Sequence, residues 1–485
     1  MTDLAGSRFA SPTPRRILAF WVPLAATWLM MAIEGPYVAA IIARLADPTL
    51  NLAAYGVAFS FAFIAEAPII MVMTASNALV RDRASYLRLR RFVYTLNALL
   101  TAAVLVGVFP PLFRFVSERL IGLPADVARL THVATALLVF WPAAIGYRRF
   151  HQGILVRHHM PRRVAYGTIV RLVSMSVTAM VLAWAAPIPG ACLGSLALMS
   201  GVLCEAAASR WMARHVVAGL LRAPAGQTGS APFPRVEGEG ATNGDAPSAD
   251  LVEGAVPVET SVAPPATASR PALTTRDILA FYYPLALTSL LAIAINPLVT
   301  FFLGRSRSAL DSLAVLPVIT GLVFVFRSGA IAYQEVAVAL LGPAREHARP
   351  IAGVGRWLAG AAALCLATIL FTPLAGGYFT RVAGLSPELS HLAVWPARAL
   401  AFVPVLDYLL TFQRARLILA RQTRFITIAA AIESATIIAG LVVAIGLLDV
   451  VGALGATCAL FAGRLAGNLF LLTPRAAAAA APPPV

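Results

Sequence analysis

Long apolar runs dominate this 485-residue chain. A helix that crosses a hydrocarbon core of about 30 Å needs roughly 20 mostly apolar residues. Read between polar, proline and glycine punctuation, the first half offers six such runs, near 17–43, 52–79, 92–113, 130–147, 164–186 and 190–209. The second half offers six more, near 277–303, 311–341, 356–374, 390–412, 425–447 and 450–473. Inside lipid every backbone polar group must be satisfied within the segment, so runs of this length become helices. The sequence therefore predicts an all-α integral membrane protein of about 12 transmembrane helices. A water-soluble enzyme is excluded: 59% of residues are apolar and 12% charged, against about 25% charged in a soluble domain. The first run is too long for a signal peptide and has no small-residue cleavage site after it, so it reads as a retained span.

All 38 basic residues are arginine, and the formal charge is +16. The lack of lysine excludes a Schiff base or a lysine nucleophile. Most arginines gather after even-numbered spans: Arg81, Arg83, Arg88, Arg90 and Arg91; Arg157, Arg162 and Arg163; Arg345, Arg349 and Arg356; Arg414, Arg416, Arg421 and Arg424. Arg15 and Arg16 precede the first span. An arginine excess marks the cytoplasmic side, so these loops and both termini are expected in the cytoplasm of a cell membrane. The charge then serves topology and lipid headgroups, and no nucleic-acid partner is expected. Residues 1–16 form a cytoplasmic N-terminus and 475–485 a cytoplasmic tail. Two six-helix units, 17–221 and 276–474, flank 222–275. That stretch is rich in Pro, Gly, Ala, Ser and Thr and reads as a disordered linker.

The two halves repeat. Ile17-Leu18-Ala19-Phe20-Trp21-Val22-Pro23-Leu24-Ala25 recurs 261 positions later as Ile278-Leu279-Ala280-Phe281-Tyr282-Tyr283-Pro284-Leu285-Ala286. At the same offset Thr27 meets Thr288, Pro36 meets Pro297, Arg44 meets Arg305, Tyr147 meets Tyr408 and Gln152 meets Gln413. Six spans per half start both repeats on one side, so they are parallel. Such repeats place a substrate site between the halves of a secondary transporter. Pro36 and Pro297 are the candidate hinges, because a proline removes a helix hydrogen bond.

Ionisable groups deep in a span are costly and are functional candidates by default. Glu66 lies near mid-span, and its repeat counterpart is Arg327. Arg171 nearly corresponds to Glu433, and Glu205 to Arg464. Glu34, Glu335, Arg398 and Asp407 lie nearer span ends or bends. The functional reading is a polar cleft. Arg171 and Arg327 would clamp an anion with Asn77, Gln152, Asn296 and Gln334 beside them. Glu66, Glu433, Glu34, Glu335 and Asp407 would balance charge or couple a proton or sodium. The bland reading is structural ion pairs, favoured for Glu205 and Arg464. Two accessible arginines would indicate anions; a lone accessible carboxylate among aromatics would indicate cations. Cys192, Cys204, Cys365 and Cys458 sit in apolar runs and read as small buried residues. No metal-ligand spacing, Walker loop, GxSxG, HExxH or helix-opening GxGxxG occurs. No enzyme activity, metal or cofactor is expected.

Several runs resemble the progressive ankylosis (ANK) family. They are Ile17-Leu18-Ala19-Phe20 with Val22-Pro23-Leu24, Leu52-Ala53-Ala54-Tyr55-Gly56-Val57-Ala58-Phe59-Ser60, Arg81-Asp82-Arg83, His151-Gln152-Gly153-Ile154-Leu155, and Phe281-Tyr282-Tyr283-Pro284-Leu285-Ala286-Leu287. The resemblance covers both halves but not 222–275. It implies the fold of the multidrug and toxic compound extrusion (MATE) and polysaccharide flippase transporters, two parallel six-helix bundles around a central cleft. The implied activity is export of organic anions such as pyrophosphate, nucleoside triphosphate or citrate; the chain itself is expected to be a monomer. That arrangement would set the second span beside the eleventh and the fifth beside the eighth, bringing Arg171 toward Arg327 and Glu66 toward Glu433. A drug or organic-cation antiporter with Glu66 as its proton or sodium site, a lipid-linked precursor flippase and a non-transporting scaffold are the alternatives.

Overall fold

A computed structural model describes residues 12–158, 160–185, 187–222, 273–341, 347–420 and 422–479. Most of the expected linker, together with His159, Arg345 and Arg421, lies outside them. In the first half the spans are Pro14–Ile42; Pro48–Glu66 with Val72–Leu79; Arg83–Gly107; Ala125–Ala136 with Trp141–Arg157; Pro161–Ala185; and Gly190–Arg222. In the second they are Thr275–Ile293 with Ile295–Gly304; Ala309–Leu340; Ala348–Phe371; Pro387–Ala399 with Val403–Leu419; Thr423–Leu441; and Gly452–Leu471. Among the described residues eleven segments are long and apolar enough to cross a membrane. The seventh span is the exception: the single run expected there divides at Ala294. Pro297 falls in the first turn of the second piece, where its missing N–H would have found no helical acceptor anyway. The repeat counterpart Pro36 sits inside a helix that continues unbroken.

Helix starts follow the sequence. Thr13 caps the first span, Ser386 the tenth, and Asp82 and Thr274 form capping boxes with Ser85 and Asp277. Prolines occupy the first turns of the helices that begin at Pro48, Trp141, Pro387 and Val403. The fourth and tenth spans both break just before those prolines, at matched places in the two repeats.

The repeat is legible atom by atom. Asn51 accepts from the N–H of Ala191 at 2.8 Å, and its counterpart Ser312 accepts from Ala453 at 3.0 Å. Asp47 and Ser308, also counterparts, both hold positive φ, at 49° and 54°. Gly56 and Pro317 are counterparts too, and they touch: a Cβ on Gly56 would lie 2.7 Å from Cγ of Pro317. Equivalent residues can meet only on the axis that relates the repeats, so the second and eighth spans cross there.

Two seams join the bundles. At one, the first span packs along the eighth, both unbroken. At the other, the second span meets the seventh, both divided, at 67–71 and at Ala294. The expected neighbours differ: the second span lies against the eighth, and the fifth against the sixth and first. The cysteines also depart from expectation. Cys192 is buried, but Cys204, Cys365 and Cys458 are exposed. The outer surface of a membrane protein faces lipid and tolerates apolar residues as well as its core does.

Candidate functional site

Each bundle encloses its own set of charges. In the first, the helix Trp141–Arg157 places Arg148 and Gln152 one turn apart on a single face. Both reach Glu205 on the sixth span: Arg148 pairs with Oε2, and Gln152 donates to Oε1 at 3.0 Å. The Arg148 and Glu205 side chains are 5% and 2% exposed, so neither has water to fall back on. Arg171 grips Glu34 with a two-pronged fork, Nε to Oε1 at 3.2 Å and Nη2 to Oε2, and lies 3.7 Å from Glu205. Glu66 ends the first piece of the second span, next to the break before Pro68. It accepts from Trp141 Nε1 at 3.2 Å and lies 3.8 Å from Arg149.

In the second bundle Asp407, on Val403–Leu419, is the hub. Arg327 Nε stands 2.6 Å from its Oδ2, and Arg464 Nε 3.2 Å from its Oδ1. Arg464 also holds Glu433 at 3.2 Å. Arg327 is the most open of these charges, with 32% of its side chain exposed against 7% for Asp407.

The sequence-level candidates divide accordingly. Arg171 and Arg327 occupy separate bundles, each with its own carboxylate. Glu66 and Glu433 likewise face arginines of their own bundles. Glu205 and Arg464 are both ion-paired, with partners in their own bundles. Gln152 belongs to the first cluster. Asn77 is exposed, and its carbonyl accepts from Arg157 at 2.6 Å. Asn296 is exposed at the break in the seventh span, and its carbonyl accepts from Thr300 at 3.1 Å. Gln334 is half-buried, and Glu335 accepts a hydrogen bond from Trp28. Arg398 donates to the carbonyl of Leu370 at 2.9 Å and lies over the rings of Phe371 and Trp395. Among the described residues no group of three or more His, Cys, Asp or Glu could hold a metal.

Three arginines escaped the sequence reading. The fourth span was expected to end at 147 and the tenth at 412, because hydropathy falls there. The helices run on to Arg157 and Leu419. Arg148 and Arg149 are thereby drawn into the interior, with Glu205 and Glu66 supplying the countercharge. Arg414, expected in a cytoplasmic loop, is on the tenth helix within electrostatic reach of Asp407 and Glu433. The spacing of Arg148 and Gln152, a helical turn apart, was the available signal.

The seams carry hydrogen bonds that obey the repeat. Trp21 Nε1 donates to the carbonyl of Gly329 at 2.9 Å, and its counterpart Tyr282 donates to the carbonyl of Pro68, the counterpart of Gly329. At the face opposite the chain ends, Arg44 donates to the carbonyls of Arg381 at 2.6 Å and Val382 at 2.9 Å. Its counterpart Arg305 donates to the carbonyl of Arg119 at 3.0 Å. Those carbonyls belong to two π-helical turns, Phe115–Ile121 and Tyr378–Val382. Gly122 and Gly384 follow, at φ of 83° and 77°. A side chain there would be strained and would crowd Arg305 or Arg44. Each bundle thus latches the other at this face.

Comparison with solved structures gives matches over nearly the whole chain. An inward-facing multidrug resistance MATE family transporter of the MOP superfamily aligns with a TM-score of 0.67 at 14% identity, covering 95% of this chain and 98% of that one. The fold is the MATE fold. A lipid II flippase, MurJ, in an inward closed conformation aligns with a TM-score of 0.64 at 12% identity over 93% of this chain and 87% of its own. A MOP superfamily transporter from Pyrococcus furiosus, described as having a binding pocket of reverse polarity, gives 0.55 at 13% identity over 95% of both chains. An outward-facing MATE gives 0.56. No family model and no curated protein matches the chain.

Proposed function

We propose that the protein is a secondary-active transporter that exports a small organic or phosphate-bearing anion by alternating access between its two bundles. One observation carries the anion reading. Among the described residues the arginine is the more exposed member of each open ion pair, narrowly for Arg464 with Glu433 at 18% and 16%, and clearly elsewhere. Arg327 is 32% exposed over Asp407 at 7%, and Arg149 is 20% exposed over Glu66 at 11%. A cation substrate would need the reverse. A guanidinium fork suits carboxylate and phosphate oxygens. The MATE fold, the latched opposite face and the motif resemblance to the ANK family support the same reading. The arginine bias of the loops supports a cell-membrane location with cytoplasmic termini. Glu66 and Asp407 then act as countercharges that hold the arginines in place between cycles.

The test is counterflow in proteoliposomes loaded with unlabelled citrate or pyrophosphate. Uptake of the labelled anion should be fast in the wild type and lost in Arg327→Gln. Uptake of an organic cation such as ethidium, with no anion flux, would establish the antiporter reading instead. Movement of a fluorescent lipid-linked oligosaccharide between leaflets would establish the flippase reading.

A further inference from the structure

The two charge sets do not sum alike. In the first bundle Arg148, Arg149 and Arg171 meet Glu34, Glu66 and Glu205, and every one of the six belongs to an ion pair. In the second bundle Arg327 and Arg464 share Asp407, and Arg464 also takes Glu433. The third arginine there, Arg414, has no ion-pair partner among the described residues. Its Nε is buried without a hydrogen bond. It lies within electrostatic reach of Arg464, Glu433, Asp407 and Arg327. Three guanidinium groups therefore share two carboxylates.

Gln413, next to Arg414 in the chain, is only 6% exposed, and neither its Nε2 nor its Oε1 has a partner. Its counterpart Gln152 is as buried but donates to Glu205. The matched contacts of Ala191 and Ala453 set the offset of the sixth and twelfth spans at 262, so the counterpart of Glu205 is Gly467 and the acceptor has gone. The counterpart of Arg414 is Gly153. A Cβ there would lie 2.4 Å from the carbonyl of Met73, so the first bundle has no room for an arginine. At these two matched places the second bundle has lost an acid and gained a base. Buried groups left in this condition lack an acceptor and a negative charge. An oxyanion supplies both, with several lone pairs to share among guanidinium and amide donors.

We propose that the second bundle, and not the first, seats one oxyanion group, phosphate or carboxylate, against Arg414 and Gln413, within the charge surplus of Arg327 and Arg464. This rests on the anion-transport reading and adds which bundle holds the charged end of the substrate. The first bundle, whose charges already cancel, is the structural half.

The full chain in phosphatidylcholine nanodiscs, titrated calorimetrically with inorganic phosphate, pyrophosphate and citrate, tests this. At least one probe should bind saturably to the wild type, about tenfold more weakly to Arg414→Gln, and several-fold more weakly to Gln413→Leu. Arg398→Gln removes the same charge at the opposite end of the tenth span and should bind as the wild type does. The Gln413→Leu variant keeps the measurement decisive if Arg414→Gln does not fold, since it removes no charge. Competition by added phosphatidylglycerol would identify a lipid headgroup as the anion source, and its absence a free solute; either keeps the site. The proposal falls if no probe binds, if both variants bind as tightly as the wild type, or if Arg398→Gln loses as much. Arg327-dependent flux with undisturbed binding in Arg414→Gln and Gln413→Leu would sink this site and leave the transport reading standing. Binding at Arg414 without flux of any anion would do the opposite.

Discussion

Replacing Arg44 and Arg305 together with alanine should open the face that they latch. Arg44 makes two hydrogen bonds across the bundles, at 2.6 and 2.9 Å, and Arg305 makes one, at 3.0 Å. Both side chains are exposed, so each bond is worth only about 1 kcal/mol net, below the range for buried charged donors. Arg44→Ala then costs the closed arrangement about 2 kcal/mol and Arg305→Ala about 1 kcal/mol. The double variant costs about 3 kcal/mol, provided that the two latches act independently. Since about 1.4 kcal/mol is tenfold, the closed-to-open ratio should fall roughly thirtyfold, fivefold and 150-fold respectively. Spin labels at positions 120 and 374, in a background with the four cysteines replaced, report the separation of the bundles at this face. Leu120 and Leu374 are both exposed, so labels there do not disturb packing. Pulsed electron–electron distance distributions should move to longer distances in the order Arg305→Ala, Arg44→Ala, double variant. A double variant whose distribution matches the wild type would refute the latch reasoning, because nothing else in it depends on those two side chains.

Three further outcomes follow from the geometry. Gly56→Leu would drive a side chain into Pro317 on the pseudo-symmetry axis and should destabilise the folded protein by about 1–3 kcal/mol in a detergent melting assay, as overpacking does. Glu205→Leu strands Arg148 and Gln152 in the interior and should cost about 3–5 kcal/mol, whereas the double change with Arg148→Leu should recover much of that loss; a double variant no better than the single would show that the pair is not the relevant contact. Asp82 caps the third span outside the membrane, and the backbone N–H of Ser85 holds its carboxyl below the usual range. A lowered folded pKa means that the cap stabilises fully above the unfolded value of about 3.9 and fades as pH falls through the lower folded value. Hydrogen exchange in the first turn of that span should therefore rise in Asp82→Ala by an amount that corresponds to about 1 kcal/mol near neutrality and shrinks below pH 4.

The spans were legible because hydrocarbon demands long apolar helices, and the repeat because both halves keep the same offset. That offset reached further than expected. Asn51 and Ser312, Asp47 and Ser308, and Arg44 and Arg305 perform the same tasks in three dimensions, although only the last pair shares a residue type. What the sequence hid was the end of the membrane interior. Arg414 read as a loop arginine, and Arg148 and Arg149 fell past the expected end of their span, because hydropathy counts side chains and not partners. Only the fold brings Glu205, Glu66 and Asp407 close enough to make such helices stable. The partition of the charges was hidden for the same reason. Counterparts at an offset need not face each other, and Arg171 and Arg327 each found a carboxylate closer at hand.

The unequal seams have a mechanical consequence. The first and eighth spans form an edge of two continuous rods, tied by Trp21 to Gly329. The second and seventh form an edge in which both backbones are already severed into shorter lengths. Two rigid covers joined along a stiff spine do not part evenly; they swing from it, and the far margin travels most. The divided edge is that margin. On the transport reading, its exposed Asn296 and the Tyr282–Pro68 contact are therefore where a passing solute would first find the molecule ajar, and where the stroke of each cycle would be longest.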